Sequence, residues 1–277
     1  MVLDPNKQER LQAIAARMRR DIVAMLHKAQ SGHPGGSLSA VEILTVLYFS
    51  QMKTDCQDPS CPDRDRFVAS KGHCAPVLYT TLCEKGYFGH AELGRLRQLD
   101  CMLQGHPDMK KTPGVDISTG SLGLGLSVGI GMALAAKLDG RKYHTYVLLG
   151  DGELQEGQIW EAAMAAPKFG LDNLVAVVDS NGVQLDGKVA DIMPLGSIKA
   201  KFAAFGWEVI EVDGHDIAAL DAAFDKAKAA KGPVVIIAAT VKGKGVSFME
   251  GKNEWHGKAI NDEQYAAAVE ELGGNRS

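Results

Sequence analysis

The feature that most constrains the fold is a regular alternation of short apolar runs and helical patterns from about residue 143 onward. The apolar runs are rich in β-branched residues and predict strands over Thr145–Leu149, Leu174–Asp179, Trp207–Val212 and Pro233–Val241. The patterns between them predict helices over about Glu156–Ala166, Ser197–Phe205 and Ile217–Ala230. Apolar strands separated by helices imply a parallel sheet that is buried on both sides. We therefore expect an α/β fold, a mostly parallel sheet with helices on both faces.

Two further helices are predicted before this region. Apolar residues recur at helical spacing over Leu11–Ala29, and the breaker cluster Gly32-His33-Pro34-Gly35-Gly36 ends that pattern. A helical pattern resumes over Leu38–Phe49, with Ser37 or Ser39 as its candidate N-cap. Because no internal repeat or linker-like tract divides the chain, we expect residues 1–277 to form a single domain.

Charge and hydropathy exclude several classes of function. The chain has 30 Lys and Arg against 34 Asp and Glu, a net charge of −4, which disfavours a general nucleic-acid-binding protein. Its apolar runs are far shorter than the ~20 residues that span a bilayer, and Met1–Arg20 lacks the apolar stretch of a secretory signal. The five cysteines are odd in number and form no C-x-x-C pair, which favours reduced thiols. These features predict a cytoplasmic protein that binds neither membrane nor nucleic acid.

The segment with the most chemical information follows the first of these strands. Gly150-Asp151-Gly152 stands directly after it, and Asn181 stands after the next strand, thirty residues beyond Asp151. Asp-Gly alone is ordinary turn chemistry, but here a helical pattern follows it instead of a second hairpin strand. Both side chains are therefore expected at the carboxyl edge of one parallel sheet, where open α/β sheets bind ligands.

The residues at this edge favour a metal-bound anion. A carboxylate and an amide oxygen suit Mg²⁺, whose coordination is usually completed by ligand phosphates and water. The glycines allow close approach, and the helix N-terminus near Glu153–Glu156 favours an anion. A metal-bridged diphosphate fits these features, and a nucleotide is the alternative. The usual nucleotide signals are missing, because no G-x-x-x-x-G-K-[ST] sequence occurs and Gly123-Leu124-Gly125 and Gly129-Ile130-Gly131 lack a third glycine.

Gly150-Asp151-Gly152 followed by Asn181 resembles the signature of thiamine-diphosphate enzymes, and the surrounding segments resemble the transketolase family in particular. These segments occur in the family's order over nearly the whole chain: Ser31-Gly32-His33-Pro34-Gly35-Gly36, Ser70-Lys71-Gly72-His73, Gly105-His106-Pro107, Thr119-Gly120-Ser121-Leu122-Gly123 and Trp255-His256-Gly257. Each segment is weak alone, whereas the ordered set is specific. The resemblance implies a thiamine-diphosphate-binding fold of the diphosphate type.

The resemblance also implies a role for each matching residue. Mg²⁺, or another divalent cation such as Ca²⁺ or Mn²⁺, would be bound by Asp151, Asn181 and the backbone carbonyl of Val183. Thiamine diphosphate would contact Gly120, Ser121, Leu122, Gly152, His73, His256 and Asn181. The sugar substrate would contact His33, His106 and His256, and these three histidines would share the proton transfers with His73. Glu156 would lie at a subunit interface, in a proton network that joins paired active sites.

The remaining histidines match no family segment. They are predicted to be ordinary surface or core residues: His27, His90, His144 and His215.

The activity implied by the resemblance is transfer of a two-carbon ketol unit from a ketose phosphate to an aldose phosphate, in the pentose phosphate pathway or a specialised sugar route. The matching part corresponds to the family's diphosphate-binding domain. The pyrimidine-binding domain, with the glutamate that activates the cofactor, and the C-terminal domain have no counterpart in the sequence. We therefore expect the N-terminal subunit of a split transketolase, active only with a pyrimidine-domain partner in an α2β2 assembly. A truncated longer chain is the alternative.

Three other functions fit parts of the pattern. The alpha subunit of a 2-oxo acid dehydrogenase shares the Gly-Asp-Gly and Asn signature, but the loops around His33 and His106 argue against it. A 1-deoxyxylulose-5-phosphate-synthase-like enzyme would use pyruvate as its donor. A non-catalytic cofactor-binding subunit would not need the four loop histidines. Assays with ketose phosphate and with pyruvate separate these possibilities.

Overall fold

A computed structural model describes residues 3–274 of the protein, so both ends of the expected 1–277 domain fall outside the described residues. Five strands are present: β1 Arg66–Ala69, β2 Thr145–Gly150, β3 Leu174–Ser180, β4 Glu208–Asp213 and β5 Val234–Ala239. The helices are α1 Pro5–Ala29, α2 Pro34–Ser39, α3 Val41–Val46, α4 Ala75–Lys85, α5 Leu124–Leu138, α6 Gly157–Lys168, α7 Val189–Ile192, α8 Ile198–Ala204, α9 Ile217–Ala229 and α10 Asp262–Glu271.

All strand pairs of the sheet are parallel, in the order β1-β2-β3-β5-β4. The expected α/β fold is confirmed, and the four strands expected from sequence are present with ends that differ by one or two residues. The first strand, β1, was missed because its four residues begin with Arg66 and are too few to show a pattern.

Each central strand contributes side chains to two cores. On β2, Tyr146 and Leu148 pack towards α1, α4 and α9, whereas Val147 and Leu149 pack towards α5 and α6. This alternation is the expected consequence of the two-residue period of a strand. Every residue of β2 is buried, but the edge strand β4 is partly exposed along its length. The central strands are therefore covered on both faces, and this packing fixes the positions of the strand ends.

The first helix is capped and amphipathic. Asp4 accepts a hydrogen bond from the Asn6 amide, Pro5 occupies the first turn, and the buried stripe includes Leu11 and Met18. The helix expected over Leu11–Ala29 is confirmed and begins earlier, at Pro5.

The prediction for the next segment was partly wrong. The breaker cluster does separate the helices, but Pro34, Gly35 and Gly36 themselves form the first turn of α2, with His33 as N-cap. Neither Ser37 nor Ser39 is the cap, because the Ser37 hydroxyl donates to the His33 carbonyl and the Ser39 hydroxyl donates to the Asp179 carboxylate. Proline is tolerated at a first helical position.

A β-carbon at Gly35 would lie 2.8 Å from the Trp255 carbonyl oxygen, so this glycine permits close approach of two segments.

The predicted Leu38–Phe49 helix is likewise interrupted. It is divided at Ala40 into α2 and α3, and α3 continues into a π-helical turn over Leu47–Gln51. Among residues 3–274, the structure contains no helix long and apolar enough to cross a membrane.

Candidate cofactor and sugar-binding site

The carboxyl ends of β2, β3 and β5 meet at one edge of the sheet and border a cavity of about 280 Å³. A residue that follows each of these strands reaches the cavity: Asp151 after β2, Asn181 after β3 and Lys242 after β5. The chain segments around Lys71, His73 and His256 complete its walls. The ligand edge expected from the sequence therefore exists as a concave site.

The three residues predicted to bind a metal lie within two adjacent turns. The Asp151 carboxylate accepts hydrogen bonds from the Gly152 amide at 2.8 Å and from the Gly182 amide at 2.5 Å. Gly182 has φ +73°, which lets the turn after β3 fold towards Asp151. Oδ1 of Asn181 accepts from the Val183 amide at 3.1 Å. Burial raises the pKa of Asp151 to about 6. A cation bound nearby would favour the ionised form of this carboxyl group.

A buried ion pair lies behind this turn. Asp179, at the end of β3, is fully buried and accepts hydrogen bonds from Lys71, Ser39 and Thr240. Burial alone would lower the pKa of Lys71, but the Asp179 carboxylate overrides it and the pKa is raised. The same ammonium holds the pKa of Asp179 below its usual value against the effect of burial. No sequence motif revealed this pair, although a carboxylate that ends an apolar strand is a signal for it.

A second buried carboxylate lies beside the expected anion site. The sequence predicted a helix N-terminus near Glu153–Glu156, and α6 begins at Gly157 with Glu156 as its N-cap. The carboxylate of Glu153 accepts hydrogen bonds from the amides of Gly123 at 2.9 Å and Gly150 at 3.0 Å. These backbone donors are already used by the protein's own anion. Glu153 therefore joins the start of α5 to the end of β2.

Four loop histidines from distant parts of the sequence gather beside the cavity. The ring centroids of His33 lie 5.3 Å from His73, 5.4 Å from His256 and 6.3 Å from His106. The rings of His73 and His256 are stacked, with centroids 4.9 Å apart. The structure thus brings together all four histidines that the sequence singled out.

These imidazoles are held in their neutral form. Burial, reinforced by Arg97, lowers the pKa of His33 to about 4, and burial with Lys242 lowers that of His256 to about 3. The pKa values of His73 and His106 are also lowered, chiefly by burial. Nδ1 of His33 is buried and makes no hydrogen bond to any residue of the described part of the chain. A buried nitrogen without a partner is costly, which favours a ligand that supplies one.

Lys242 is a site residue that no sequence motif revealed. Its side chain is buried, and Nζ lies 3.0 Å from the Val183 carbonyl oxygen and 2.9 Å from Nδ1 of His256. Burial, and after it the charge of Lys71, lowers the pKa of Lys242 to about 8. The signal that could have found it is the one that found Asp151, since Lys242 also stands just past the end of a buried strand.

Of the remaining predicted residues, Leu122 and Glu156 border the cavity. Gly120 packs against His106, while Ser121 and Leu122 are exposed, and Leu122 borders the cavity. Glu156 is exposed at the rim of this cavity, directly before α6. Their position at an open edge leaves these side chains available to a ligand or to another subunit.

Comparison with known proteins identifies the family. A family profile described as transketolase, thiamine diphosphate binding domain, matches residues 10–277. The chain belongs to the transketolase family. The resemblance inferred from the sequence, and with it the prediction of a transketolase-type enzyme, is confirmed.

Two kinds of transketolase relative differ in length. An apulose-4-phosphate transketolase subunit of Phocaeicola vulgatus is 44% identical over 95% of this chain and 94% of its own length. The 6-deoxy-6-sulfo-D-fructose transketolase subunit SqwG of a Clostridium species is 46% identical over 95% of this chain and 96% of its own. Human transketolase is 42% identical over 97% of this chain, which spans 43% of the human protein. The transketolase structure from Campylobacter jejuni superposes with a TM-score of 0.92 at 34% identity, covering 98% of this chain and 43% of that one.

The transketolase site can be tested against the cofactor that its family name implies. Among residues 3–274, no cluster of three or more His, Cys, Asp or Glu forms a metal centre of its own. Asp151, Asn181 and the Val183 carbonyl offer one carboxylate and two neutral oxygens, a set that Mg²⁺ completes with phosphate oxygens and water. The nearby Lys242 ammonium adds positive charge for a diphosphate. The residues present therefore fit thiamine diphosphate with a divalent metal.

Proposed function

We propose that this chain is the diphosphate-binding subunit of a transketolase that moves a two-carbon ketol unit from a ketose phosphate to an aldose phosphate. The observation that carries the proposal is the grouping of four neutral histidines above the Asp151–Asn181 edge. A polyhydroxylated substrate needs several groups that can accept or donate protons, and neutral imidazoles do both. Support for a subunit comes from the two relatives that carry that description and match this chain over nearly their whole length.

Residues of the chain would divide the binding of cofactor and metal between them. We assign Mg²⁺, with Ca²⁺ or Mn²⁺ as substitutes, to Asp151, Asn181 and the Val183 carbonyl. Support comes from Asp151 and Asn181, which follow two adjacent strands and border the same cavity. Thiamine diphosphate would be held by Gly152, Asn181, His73 and His256, with Gly120, Ser121 and Leu122 at its exposed side.

When bound, thiamine diphosphate supplies the nucleophilic carbon and the electron sink for cleavage of a carbon–carbon bond. The protein's part is to orient the sugar and handle its protons. His33, His106 and His256 would bind donor hydroxyls and exchange protons with them. Since Nδ1 of His256 faces the Lys242 ammonium, its Nε2 carries the hydrogen that can be donated.

A partner subunit with a pyrimidine-binding domain would complete the site, in an α2β2 assembly. The rim residues Leu122 and Leu185 are 39% and 58% exposed, an apolar edge that a second subunit would cover. Glu156 stands at this rim, in keeping with an interface role. A single domain over residues 1–277 belongs to the same proposal. A cytoplasmic location and a role in the pentose phosphate pathway stay predictions.

The test is an assay of ketol transfer from a ketose phosphate by the chain alone, by its pyrimidine-domain partner alone, and by the mixture. We expect turnover only in the mixture with thiamine diphosphate and Mg²⁺. Pyruvate supplied as donor should give no product. Turnover by the isolated chain would refute the need for a partner, and turnover of pyruvate would refute the transketolase assignment. Cofactor binding without turnover in the mixture would indicate a non-catalytic subunit.

A further inference from the structure

The loop after β5 is attached to the rest of the molecule by a charged network outside the cavity. Nε2 of His215 accepts a hydrogen bond from the Val241 amide at 2.9 Å, directly before Lys242. Nε of Arg19 donates to the Lys244 carbonyl oxygen at 3.1 Å, two residues after Lys242. The loop is thus held on both sides of the lysine that enters the cavity.

Both holding residues are joined through one carboxylate. Nδ1 of His215 lies 2.9 Å from Glu42, and the guanidinium of Arg19 lies 2.5 Å and 2.7 Å from the two Glu42 oxygens. Because Nε2 of His215 accepts from an amide, Nδ1 must carry the hydrogen and donate it to Glu42. Burial alone would raise the pKa of Glu42, but the bonds from His215 and Arg19 lower it, so the carboxylate remains charged.

The network crosses three separate parts of the chain. Arg19 is on α1, Glu42 is on α3, and His215 precedes α9. The three side chains also line a surface concavity of about 460 Å³, but they are hydrogen-bonded to one another. These bonds already satisfy the polar groups of the three side chains. The network therefore acts by fixing the loop after β5.

On this basis we propose that His215, Glu42 and Arg19 are positioning residues, which fix the Val241–Lys244 backbone. The fixed backbone holds Lys242 in the wall of the cavity, where its ammonium would contact the diphosphate of the cofactor. The inference rests on the proposed function, because it concerns cofactor binding. A second contact supports the fixed geometry: the Gly243 amide donates to the Gly35 carbonyl at 2.9 Å, and Gly243 has φ +78°. A lysine on a flexible loop would lose side-chain and backbone freedom on binding, whereas a fixed one has already lost it.

The direct test compares His215→Ala with His144→Ala. His144 is also half-buried, but it precedes β2 at the opposite, amino edge of the sheet. In calorimetric titrations of thiamine diphosphate with Mg²⁺, we expect His215→Ala to weaken the cofactor's Kd by about 10- to 100-fold, and His144→Ala to leave it unchanged. His215→Gln, which retains an acceptor and a donor, should recover part of the loss.

A double-mutant cycle separates positioning from a general loss of structure. If His215 acts through Lys242, His215→Ala should have little further effect on Kd in a Lys242→Ala background. Amide hydrogen exchange of the cofactor-free protein gives a second readout: segment 241–244 should exchange faster in His215→Ala and normally in His144→Ala.

The outcomes distinguish the two proposals. Failure of the unsubstituted chain, assembled with its partner, to bind thiamine diphosphate would overturn the proposed function and this inference with it. Normal binding by the unsubstituted chain together with an unchanged Kd in His215→Ala would overturn the positioning role alone. Additive effects of His215→Ala and Lys242→Ala on Kd would also overturn the positioning role and leave the proposed function intact.

Discussion

The histidines beside the cavity differ in their surroundings from His27 and His90 on the surface of the molecule. Outside the site, His27 lies 2.8 Å from Asp262 and His90 lies 3.0 Å from Asp21, so each has a carboxylate partner. Within the described residues, none of the four site histidines pairs with a carboxylate, and the charged groups that perturb His33 and His256 are cations. Carboxylates favour the charged imidazolium, whereas burial and cations favour the neutral ring. The same residue type therefore pairs with carboxylates on the surface and is held as a neutral ring beside the cavity.

The lysines divide in a similar way. Lys71 and Lys242 are buried at the cavity, and Lys71 is neutralised by Asp179. On the surface, Lys199 pairs with Glu211 with both side chains more than half exposed. Buried charge is costly unless it is paired, whereas an exposed pair contributes little. The cavity edge therefore contains a buried ion pair whose desolvation is costly, whereas the exposed pair on the outer surface avoids that cost.

The largest effect on stability should come from breaking the buried pair. Asp179→Asn leaves the Lys71 ammonium buried without its counter-charge, and we expect a loss of about 3–5 kcal/mol in the free energy of unfolding. Denaturant titration measures this loss. In the matched surface variant, Glu211→Gln, the loss should be no more than about 1 kcal/mol. Equal losses in the two variants would contradict the contrast between cavity and surface.

Removal of a site histidine should affect catalysis more than stability. In the enzyme assembled with its partner, His33→Ala should lower kcat/KM for ketol transfer by about 100-fold or more, because a positioned proton acceptor is lost. His90→Ala, from the surface group, serves as the control and should retain the normal rate. A normal rate in His33→Ala would remove this residue from the proposed proton transfers.

The pH dependence of stability provides a smaller test. His33 has a folded-state pKa of about 4, below the ordinary value near 6.5, so the unfolded chain takes up its proton first as pH falls. The contribution of the neutral His33 ring to the free energy of unfolding is therefore complete above pH ~6.5 and declines towards pH ~4. Because water reaches part of the ring, we expect a contribution of about 1 kcal/mol. Denaturation of the cofactor-free chain across this window should show a shallower decline in His33→Gln, and parallel curves would contradict the assignment.

The smallest effect is expected from His27→Ala. His27 stacks on Tyr265 with ring centroids 4.2 Å apart and pairs with the fully exposed Asp262 side chain. Exposed ion pairs are screened by solvent, so ketol transfer by the assembled enzyme should be unchanged. A marked loss of transfer rate would show that the two groups of histidines are not functionally separate.

The central fold could be predicted because β2, β3 and β5 are buried on both faces and carry continuous apolar runs. The strand β1 and the helix beginning at Pro34 were harder, since a four-residue strand and a Pro-Gly-Gly helical turn carry little periodic signal. For the site, the strand and turn pattern sufficed to place Asp151 and Asn181 together, whereas the four histidines were singled out by the ordered resemblance to the family.

The charged partners of the site could not be inferred in the same way. Lys71 and Asp179 are 108 residues apart, and His215 and Glu42 are 173 residues apart. Such pairs form only when the sheet and its helices bring distant segments together. His215 carried no motif and was predicted to be an ordinary residue, yet it contacts the backbone next to Lys242.

The central claim is that the carboxyl edge of β2 and β3 binds thiamine diphosphate through a divalent metal. The most direct measurement is a calorimetric titration of thiamine diphosphate into the chain assembled with its partner, with Mg²⁺, with Mg²⁺ removed, and with Mg²⁺ in the Asp151→Ala variant. We predict saturable binding to the unsubstituted chain that requires Mg²⁺ and is lost in Asp151→Ala. No binding with Mg²⁺, or equal binding in all three titrations, would contradict this claim.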